Sequence, residues 1–238
     1  MLEVKVIASG STGNCTLLTS SAGENILLDA GIPYKKIFAA IDYQAIDFAL
    51  ITHEHCDHAN KVTIKNLLEH GTEVYMTTGT RKALKFEPRH NLHSLKYKFH
   101  ARVVKIGSCK FKILVVMHDA AEPVAFQIED VDDTVLYVAD AKSIPYGLEK
   151  FTKLIVGTNF SEDRLKRSGT DSYQKQRIFD NHISIERAFG HFDIMKHCGE
   201  LDKVREVHLI HISQRHGNAE EFKHALAGLF GDIPIYTY

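Results

Sequence analysis

Residues 53–58, with the sequence His-Glu-His-Cys-Asp-His, hold the most chemically distinctive group of side chains in this protein. They follow directly on the apolar residues 48–51, so a β-strand that ends there would deliver three imidazoles and a carboxylate to one point. Imidazole and carboxylate ligands together suit Zn²⁺, and also Mn, Fe or Ni. The segment therefore predicts a metal site, and a solvated polar loop is the weaker alternative.

The spacing within this segment predicts how its side chains point. In an extended segment, residues i and i+2 face the same way, so His53 and His55 can bind one ion together. If the chain then turns into a helix, Asp57 and His58 point toward a neighbouring position, and a carboxylate suits a helix N-terminus. Residues 61–70 have the apolar spacing of that helix. One loop could therefore supply ligands to two adjacent metals.

A site with two metals needs more than four ligands, and further candidates stand where apolar runs end. Like His53, three other residues that can bind a metal have this placement: His118, Asp140 and His211. Any one of them alone is more often a surface residue or an internally hydrogen-bonded one. Their common position at strand ends makes the set a stronger indication of a metal site than each member.

The apolar patterns predict a β core covered by helices, and not a doubly wound sheet. The predicted strands are residues 2–8, 15–19, 25–28, 48–51, 73–76, 102–106, 110–116, 124–128, 134–138, 154–156, 204–210 and 233–236. The predicted helices are residues 34–41, 61–70, 184–197 and 219–229.

Length, composition and charge place the chain among ordinary globular proteins. It has 238 residues, 44% of them hydrophobic and 25% charged, and its formal net charge is −1. No apolar run reaches the roughly 18 residues of a membrane helix, and the N-terminus lacks the pattern of a signal peptide. The four cysteines contain no CxxC pair, which fits a reducing compartment. We therefore expect one cytoplasmic domain spanning residues 1–238, outside the membrane, with a dimer among the open oligomeric states.

Taken in order, these residues resemble the metallo-β-lactamase fold superfamily. The resemblance is carried by the loop at 53–58, by an early Asp-x-Gly motif that begins at Asp29, and by His118, Asp140 and His211. It implies an α/β (α+β) fold, a four-layer αββα sandwich of two mixed β-sheets, with metals at one edge between the sheets.

The resemblance also implies a role for each of these residues. One metal would be bound by His53, His55 and His118. The other metal would be bound by Asp57, His58 and His211. Asp140 would bridge the two, and Asp29 would orient the ligand loop, although a simple turn aspartate is a competing interpretation.

A finer resemblance is to the YycJ/WalJ-like branch, which is associated with DNA exonuclease or phosphodiesterase activity. The segments that carry it are residues 8–15, residues 118–123, Asn159, residues 182–184 and residues 211–213. The chain departs from the branch at two positions, because Gly157 and Phe160 stand where the branch has an acidic residue and a histidine, and the segment 165–181 is also unlike the branch.

The chemistry that this implies is metal-dependent hydrolysis of a phosphodiester. Two divalent ions roughly 3.5–4 Å apart can share a hydroxide and stabilise the attacking and leaving oxygens. The cofactors would be two divalent metals, Zn first and Mn second, and the substrate would be DNA or a nucleotide phosphodiester. The implied catalytic residues are Asp57, Asp140 and His182. The implied substrate-binding residues are Ser11, Asn14, Asn159 and His182.

Several of these roles have a plain structural alternative. Residues 9–14 could present backbone N–H groups to an anion or could form a tight turn between strands. His182 could stabilise charge or protonate the leaving oxygen, or it could be an ordinary residue at a helix start. Asn159 could bind the substrate or brace a loop.

Two basic stretches bear on the substrate. Residues 81–112 contain ten lysines and arginines and the single acidic residue Glu87. A second group contains Arg164, Lys166, Arg167, Lys175 and Arg177. Such stretches can follow a phosphate backbone, and a solvated surface is the alternative.

Two other functions compete with a nuclease. The departures at Gly157 and Phe160 leave room for a small-molecule hydrolase on the same site, such as a cyclic-nucleotide phosphodiesterase, a lactonase or a thioesterase. A metal-stabilised binding module is disfavoured, because structural zinc sites are usually closed and rich in thiolate.

Overall fold

The structure is a computed structural model, and it describes residues 1–41, 45–96, 102–145, 147–148 and 150–238. Its strands are β1 (Glu3–Ala8), β2 (Cys15–Thr19), β3 (Asn25–Leu28), β4 (Phe48–Leu50), β5 (Glu73–Thr77), β6 (Leu92–Leu95), β7 (Arg102–Ile106), β8 (Cys109–Val115), β9 (Val124–Glu129), β10 (Thr134–Val138), β11 (Lys153–Gly157), β12 (Glu206–Ile210) and β13 (Ile235–Thr237). Its helices are α1 (Tyr34–Ala40), α2 (Lys61–Glu69), α3 (Thr78–Ala83), α4 (Glu162–Arg167), α5 (Ser172–Asn181), α6 (Ile185–His197) and α7 (Ala219–Phe230).

Two mixed β-sheets accompanied by helices make up the fold, which confirms the predicted fold class. The first sheet contains β1 to β6 and the second contains β7 to β13. In the second sheet, β7, β8 and β9 are antiparallel neighbours, while β10 to β13 pair in parallel.

The chain divides into two compact units. The first unit contains Met1–Val115 and Ala120–Asp132, and the second contains Val116–Asp119 and Asp133–Tyr238. The single domain expected for residues 1–238 stays a prediction.

The predicted elements are present, and four elements were not predicted from sequence. These are β6, α3, α4 and α5. Helix α5 shows why: it contains no buried residue, so it has no apolar stripe that a sequence pattern could reveal. Predicted helix 61–70 starts at Lys61 as expected, but its N-cap is Asn60, whose side chain accepts from the N–H groups of Val62 and Thr63. Asp57 therefore lies before the helix and does not cap it.

The first unit places two chain segments side by side at one edge of its sheet. Strands β3 and β4 are parallel, with Leu28 paired to Leu50, so both strands end at the same edge. The chain that leaves β3 begins with Asp29, whose N–H donates to the carbonyl of Leu50 at 2.9 Å. One residue later, the N–H of Ala30 donates to the carbonyl of His58 at 2.8 Å. The early Asp-x-Gly motif is thus held against the segment 53–58.

The second unit repeats this arrangement with three parallel strands. Val138 of β10 pairs with Val156 of β11, and Gly157 of β11 pairs with Ile210 of β12. The residues that follow these strands therefore meet at one edge, and they are Asp140, Asn159 and His211. Within the residues that the structure describes, no helix is long and apolar enough to cross a membrane.

Candidate metal centre

In the first unit, the loop at 53–58 gathers its three imidazoles. The ring centroid of His53 lies 4.7 Å from that of His55 and 4.3 Å from that of His58. Asp57 joins them, with its Oδ2 3.5 Å from Nε2 of His58. The chain turns at this point, because the N–H of His58 donates to the carbonyl of His55 at 2.9 Å. The structure therefore brings together all four candidate ligands that this loop supplies.

Asp29 lies behind that loop and is completely buried. Its Oδ2 is 2.8 Å from Nδ1 of His58, and it accepts from the N–H of Thr52 at 2.8 Å and from the Thr52 hydroxyl at 3.0 Å. Asp29 has a φ of +58°, in the left-handed region that non-glycine residues rarely occupy. Its predicted orienting role stays a prediction that these contacts favour over an ordinary turn aspartate.

Thr52, which the sequence analysis did not single out, extends this arrangement to His53. Because the Thr52 hydroxyl donates to Asp29, its oxygen is left to accept from Nδ1 of His53, 2.9 Å away. A histidine whose Nδ1 carries the proton offers the lone pair of Nε2 to a metal. One buried carboxylate therefore favours the metal-binding tautomer of His53 and of His58. The sequence feature that could have identified Thr52 is its position between the end of β4 and His53.

Asn14 supports the same loop from the glycine-rich segment. It is 1% exposed, its Nδ2 donates to the carbonyl of Asp57 at 3.2 Å, and that Nδ2 lies 3.1 Å from Nε2 of His58. The N–H of Gly13 donates to the carbonyl of Gly10, so this segment is a tight turn, and Ser11 is exposed on it. A Cβ at Gly31 would overlap the Asp57 carbonyl, so that position needs a glycine. The substrate-binding roles of Ser11 and Asn14 stay predictions.

In the second unit, His118, Asp140 and His182 form a cluster that could hold a metal ion, with ligand atoms within 4.8 Å of one another. Oδ2 of Asp140 lies 3.8 Å from Nε2 of His118, and Oδ1 lies 3.5 Å from Nδ1 of His182. His211 approaches the same carboxylate, with its Nε2 3.6 Å from Oδ2. His182 thus stands among the candidate ligands, which adds metal binding to the roles expected from its sequence.

Helix α5 orients His118. Nδ1 of His118 lies 2.9 Å from the carbonyl of Asn181, which can only accept, so Nδ1 carries the proton and Nε2 faces Asp140. An ion pair of 2.9 Å between Arg177 and Asp119 joins the helix to the residue after His118. The sequence marked Asn181 only as the neighbour of His182. It gave no sign that Arg177 would pair with Asp119 and so hold helix α5 next to His118.

Asn159 lies between two candidate ligands and is 4% exposed. Its Nδ2 is 2.6 Å from Nδ1 of His211 and 3.3 Å from Oδ1 of Asp140. With this placement, Nδ2 of Asn159 donates toward both groups; metal binding by His211 through Nε2 would need a proton on Nδ1 and therefore the amide turned so that Oδ1 faces the ring. His211 itself has a φ of +56°, so a candidate ligand also occupies the left-handed region in which Asp29 lies. The geometry favours a bracing role for Asn159, and its substrate-binding role stays a prediction.

The two departures from the family pattern have structural causes. A Cβ at Gly157 would overlap the carbonyl oxygen of Ala139, immediately before Asp140, so no side chain fits there. Phe160 is fully buried and belongs to the core. Both positions therefore serve the packing that places Asp140 and Asn159.

The separations between ligand atoms fit a divalent cation. A tetrahedral site with bonds of about 2.1 Å places neighbouring ligand atoms roughly 3.4 Å apart. Within the first unit, Asp57 and His58 are 3.5 Å apart, and within the second unit His211 and Asp140 are 3.6 Å apart. Nitrogen and oxygen donors at these distances suit Zn²⁺ or Mn²⁺, and the identity of the metal stays a prediction.

Several basic side chains in the two basic stretches form ion pairs with carboxylates. In residues 81–112, residues 97–101 lie outside the described part of the chain, Lys98 among them, and Lys110 pairs with Glu129. In the second group, Arg164 pairs with Glu221, Arg167 with Asp163, and Arg177 with Asp119.

Comparison with known proteins places this geometry in a family. A model of the beta-lactamase superfamily domain matches residues 24–213. Exodeoxyribonuclease WalJ of Streptococcus pneumoniae is 26% identical over 236 residues, covering 93% of this chain and 85% of that protein. Exodeoxyribonuclease YycJ of Bacillus anthracis is 24% identical, covering 89% and 83%. The crystal structure of the metallo-beta-lactamase fold protein YhfI from Bacillus subtilis has a TM-score of 0.73 at 17% identity, covering 100% and 97%.

Proposed function

Because the chain belongs to the beta-lactamase superfamily and is a hydrolase of the metallo-β-lactamase fold, we propose that it is a dinuclear metal-dependent phosphodiesterase that cleaves DNA. Two relatives named exodeoxyribonuclease, each matched over more than four-fifths of both chains, support nucleic acid as the substrate. The observation that carries the proposal is the pairing of imidazole nitrogen with carboxylate oxygen at 3.5–3.8 Å in each unit.

The proposed ligand assignment is the one that the family resemblance implies. One cation would be held by His53, His55 and His118. The other would be held by Asp57, His58 and His211, with Asp140 shared between the two. When bound, two such cations supply Lewis acidity and make water a nucleophile at neutral pH.

The other residues of the centre orient these ligands and manage protons. Asp29 and Thr52 hold the protons of His58 and His53 on Nδ1, and the carbonyl of Asn181 does the same for His118. His182, whose side chain is 24% exposed, lies where it can reach both solvent and the carboxylate of Asp140. We assign to His182 the stabilisation of charge on the scissile phosphate or protonation of the leaving oxygen.

A substrate panel tests this function. Metal-analysed protein is incubated with labelled single- and double-stranded DNA, with cyclic mononucleotides and with bis(p-nitrophenyl) phosphate. We expect DNA and the reporter to be cleaved, and Asp140→Ala to lower turnover by at least about 10³-fold with little change in thermal unfolding. The matched control is Asp232→Ala, which removes an exposed carboxylate that belongs to neither group of candidate ligands and should retain full activity.

The panel also decides between this function and the small-molecule alternative. Intact DNA together with opened cyclic nucleotides would replace the nuclease with a cyclic-nucleotide phosphodiesterase. Full activity of Asp140→Ala on every substrate would overturn the metal mechanism itself.

A further inference from the structure

A pocket in the second unit contains three arginines that the proposed metal centre does not use. Its volume is about 540 Å³. It is lined by Ser161, Asp163, Arg164, Arg167, Ser168, Arg215 and Glu221. Three guanidinium groups facing one cavity form a set of donors, and guanidinium suits an anion with several oxygens. The two serine hydroxyls of the pocket donate elsewhere, Ser161 to the carboxylate of Glu186 and Ser168 to the carbonyl of Leu165.

The charges in this pocket do not cancel. Arg164 forms a two-pronged pair with Glu221, and Arg167 lies 2.9 Å from Asp163. Arg215 is exposed, and among the described residues no carboxylate lies within ion-pair distance of it. The pocket therefore keeps one positive charge more than its own carboxylates neutralise, and that charge belongs to Arg215.

Two hydrogen-bonded loops connect the pocket to the candidate metal centre. The N–H of Ser213 donates to the carbonyl of Asn159 at 2.8 Å, and the N–H of Ser161 donates to the carbonyl of His216 at 2.9 Å. Asn159 and His211 therefore stand at one end of this pair of loops, while Ser161 and Arg215 stand at the other. Only Phe160 separates Asn159 from Ser161, so their Cα atoms are at most about 7 Å apart.

The loop that carries Arg215 is held in place by the residue that follows it. His216 is buried, and its Nε2 lies 2.9 Å from the hydroxyl of Thr170. A Cβ at Gly217 would lie 2.6 Å from Cγ2 of Ile212 and 2.9 Å from the carbonyl oxygen of Ser213, so the turn is closely packed. A fixed loop presents the Arg215 side chain with less loss of conformational freedom on binding than a mobile one would.

A second cavity lies on the other side of helix α4 and continues the positive charge. It has a volume of about 380 Å³, and its lining includes Lys166, Lys175 and Phe179. The one carboxylate in this lining, Glu162, lies 3.6 Å from the guanidinium of Arg187. Lys175 donates to the carbonyl of Lys166 at 2.7 Å, and no described carboxylate forms an ion pair with either lysine. Basic side chains therefore line cavities on two sides of α4.

We propose that the pocket around Arg215 binds a phosphate of the substrate strand beside the bond that is cleaved. This proposal rests on the proposed function. It specifies that the substrate is a strand of DNA that occupies at least two sites on the protein, and not a single phosphodiester. Arg215 is the main contact, with Arg164 and Arg167 beside it in the same pocket.

The experiment compares Arg215→Ala with Lys203→Ala, which removes one exposed positive charge elsewhere in the same unit. For an oligonucleotide substrate, we expect Arg215→Ala to raise KM about tenfold with kcat nearly unchanged, and to reduce the slope of log(kcat/KM) against log[salt] by about 0.7. Bis(p-nitrophenyl) phosphate, which is too short to reach the pocket, should be hydrolysed at the wild-type rate. Arg215→Lys should be intermediate, because it keeps the charge and loses the planar fork.

Two results overturn the pocket and leave the proposed function intact. In one, the wild-type protein cleaves DNA, but Arg215→Ala has the same KM and the same salt dependence as Lys203→Ala. The other is an equal loss on DNA and on the reporter, which would show that Arg215 supports the metal centre or the fold instead of the strand. Failure of the wild-type protein to cleave DNA would instead reject the proposed function, and the pocket with it.

Discussion

The two groups of candidate ligands differ in how the chain assembles them. In the first unit, His53, His55, Asp57 and His58 come from one loop of six residues. In the second unit, His118, Asp140, His182 and His211 are spread over almost a hundred residues and meet because parallel strands end at one edge. The first group is a local feature of the chain, and the second exists only through the strand order of its sheet.

The supporting contacts differ in the same way. In the first unit, the buried carboxylate of Asp29 holds His58 directly and His53 through Thr52. In the second unit, the support is distributed, with Asn159 beside His211 and the carbonyl of Asn181 beside His118. We infer that one substitution should damage the first group as a whole, whereas the second group should lose function step by step.

The largest expected effect follows from removing the central support of the first group. Asp29→Ala leaves the buried N–H of Thr52 and Nδ1 of His58 without their acceptor, which should lower the free energy of unfolding by about 3–5 kcal/mol. Denaturant unfolding measures this change, and metal analysis should show less bound metal. Asp232→Ala, at an exposed position, should change stability by less than about 0.5 kcal/mol. Equal stability of the two variants would contradict a central role for Asp29.

A smaller effect is expected from the distributed support of the second group. Asn159→Ala removes the amide beside His211 and Asp140, which should weaken metal binding by about 10- to 100-fold while most of the activity returns at saturating metal. Metal titration followed by activity and by bound metal checks this. Asn66→Ala, which removes a side-chain hydrogen bond to the carbonyl of Val62 on helix α2, is the matched control and should bind metal normally. If activity stayed absent at saturating metal, Asn159 would act on the substrate instead.

The smallest effect is a pH dependence that belongs to the second unit. Burial, together with the positive charges of Arg215 and Lys175, lowers the pKa of His216 below its usual 6.5. As pH falls below about 6.5, the unfolded chain takes up a proton on this histidine before the folded protein does, so the free energy of unfolding decreases. The contribution is complete above 6.5 and is lost as pH falls through the lowered pKa.

Comparison of the wild type with His216→Gln isolates this contribution, because glutamine keeps a hydrogen-bonding group near Thr170 and does not titrate. Thermal unfolding between pH 5 and 7.5 should show a shallower decline for the variant than for the wild type. Parallel curves would show that other groups cause the decline.

The sequence by itself determined the fold class and most of the candidate ligands. The loop at 53–58 can be predicted from sequence because its ligands are adjacent. His118, Asp140 and His211 can be predicted because each follows an apolar run. Short-range patterns of this kind record where strands end, and strand ends are where an open parallel arrangement exposes side chains.

Only the tertiary structure decided which residues support those ligands. The contact of Asn159 with His211 spans 52 residues, and the approach of Asn181 to His118 spans 63, so no local pattern encodes either one. The need for glycine at 157 comes from a neighbouring strand, and the charge of the Arg215 pocket depends on which arginines find carboxylates. These properties are set by packing between distant segments, which is why they appear only once the chain has folded.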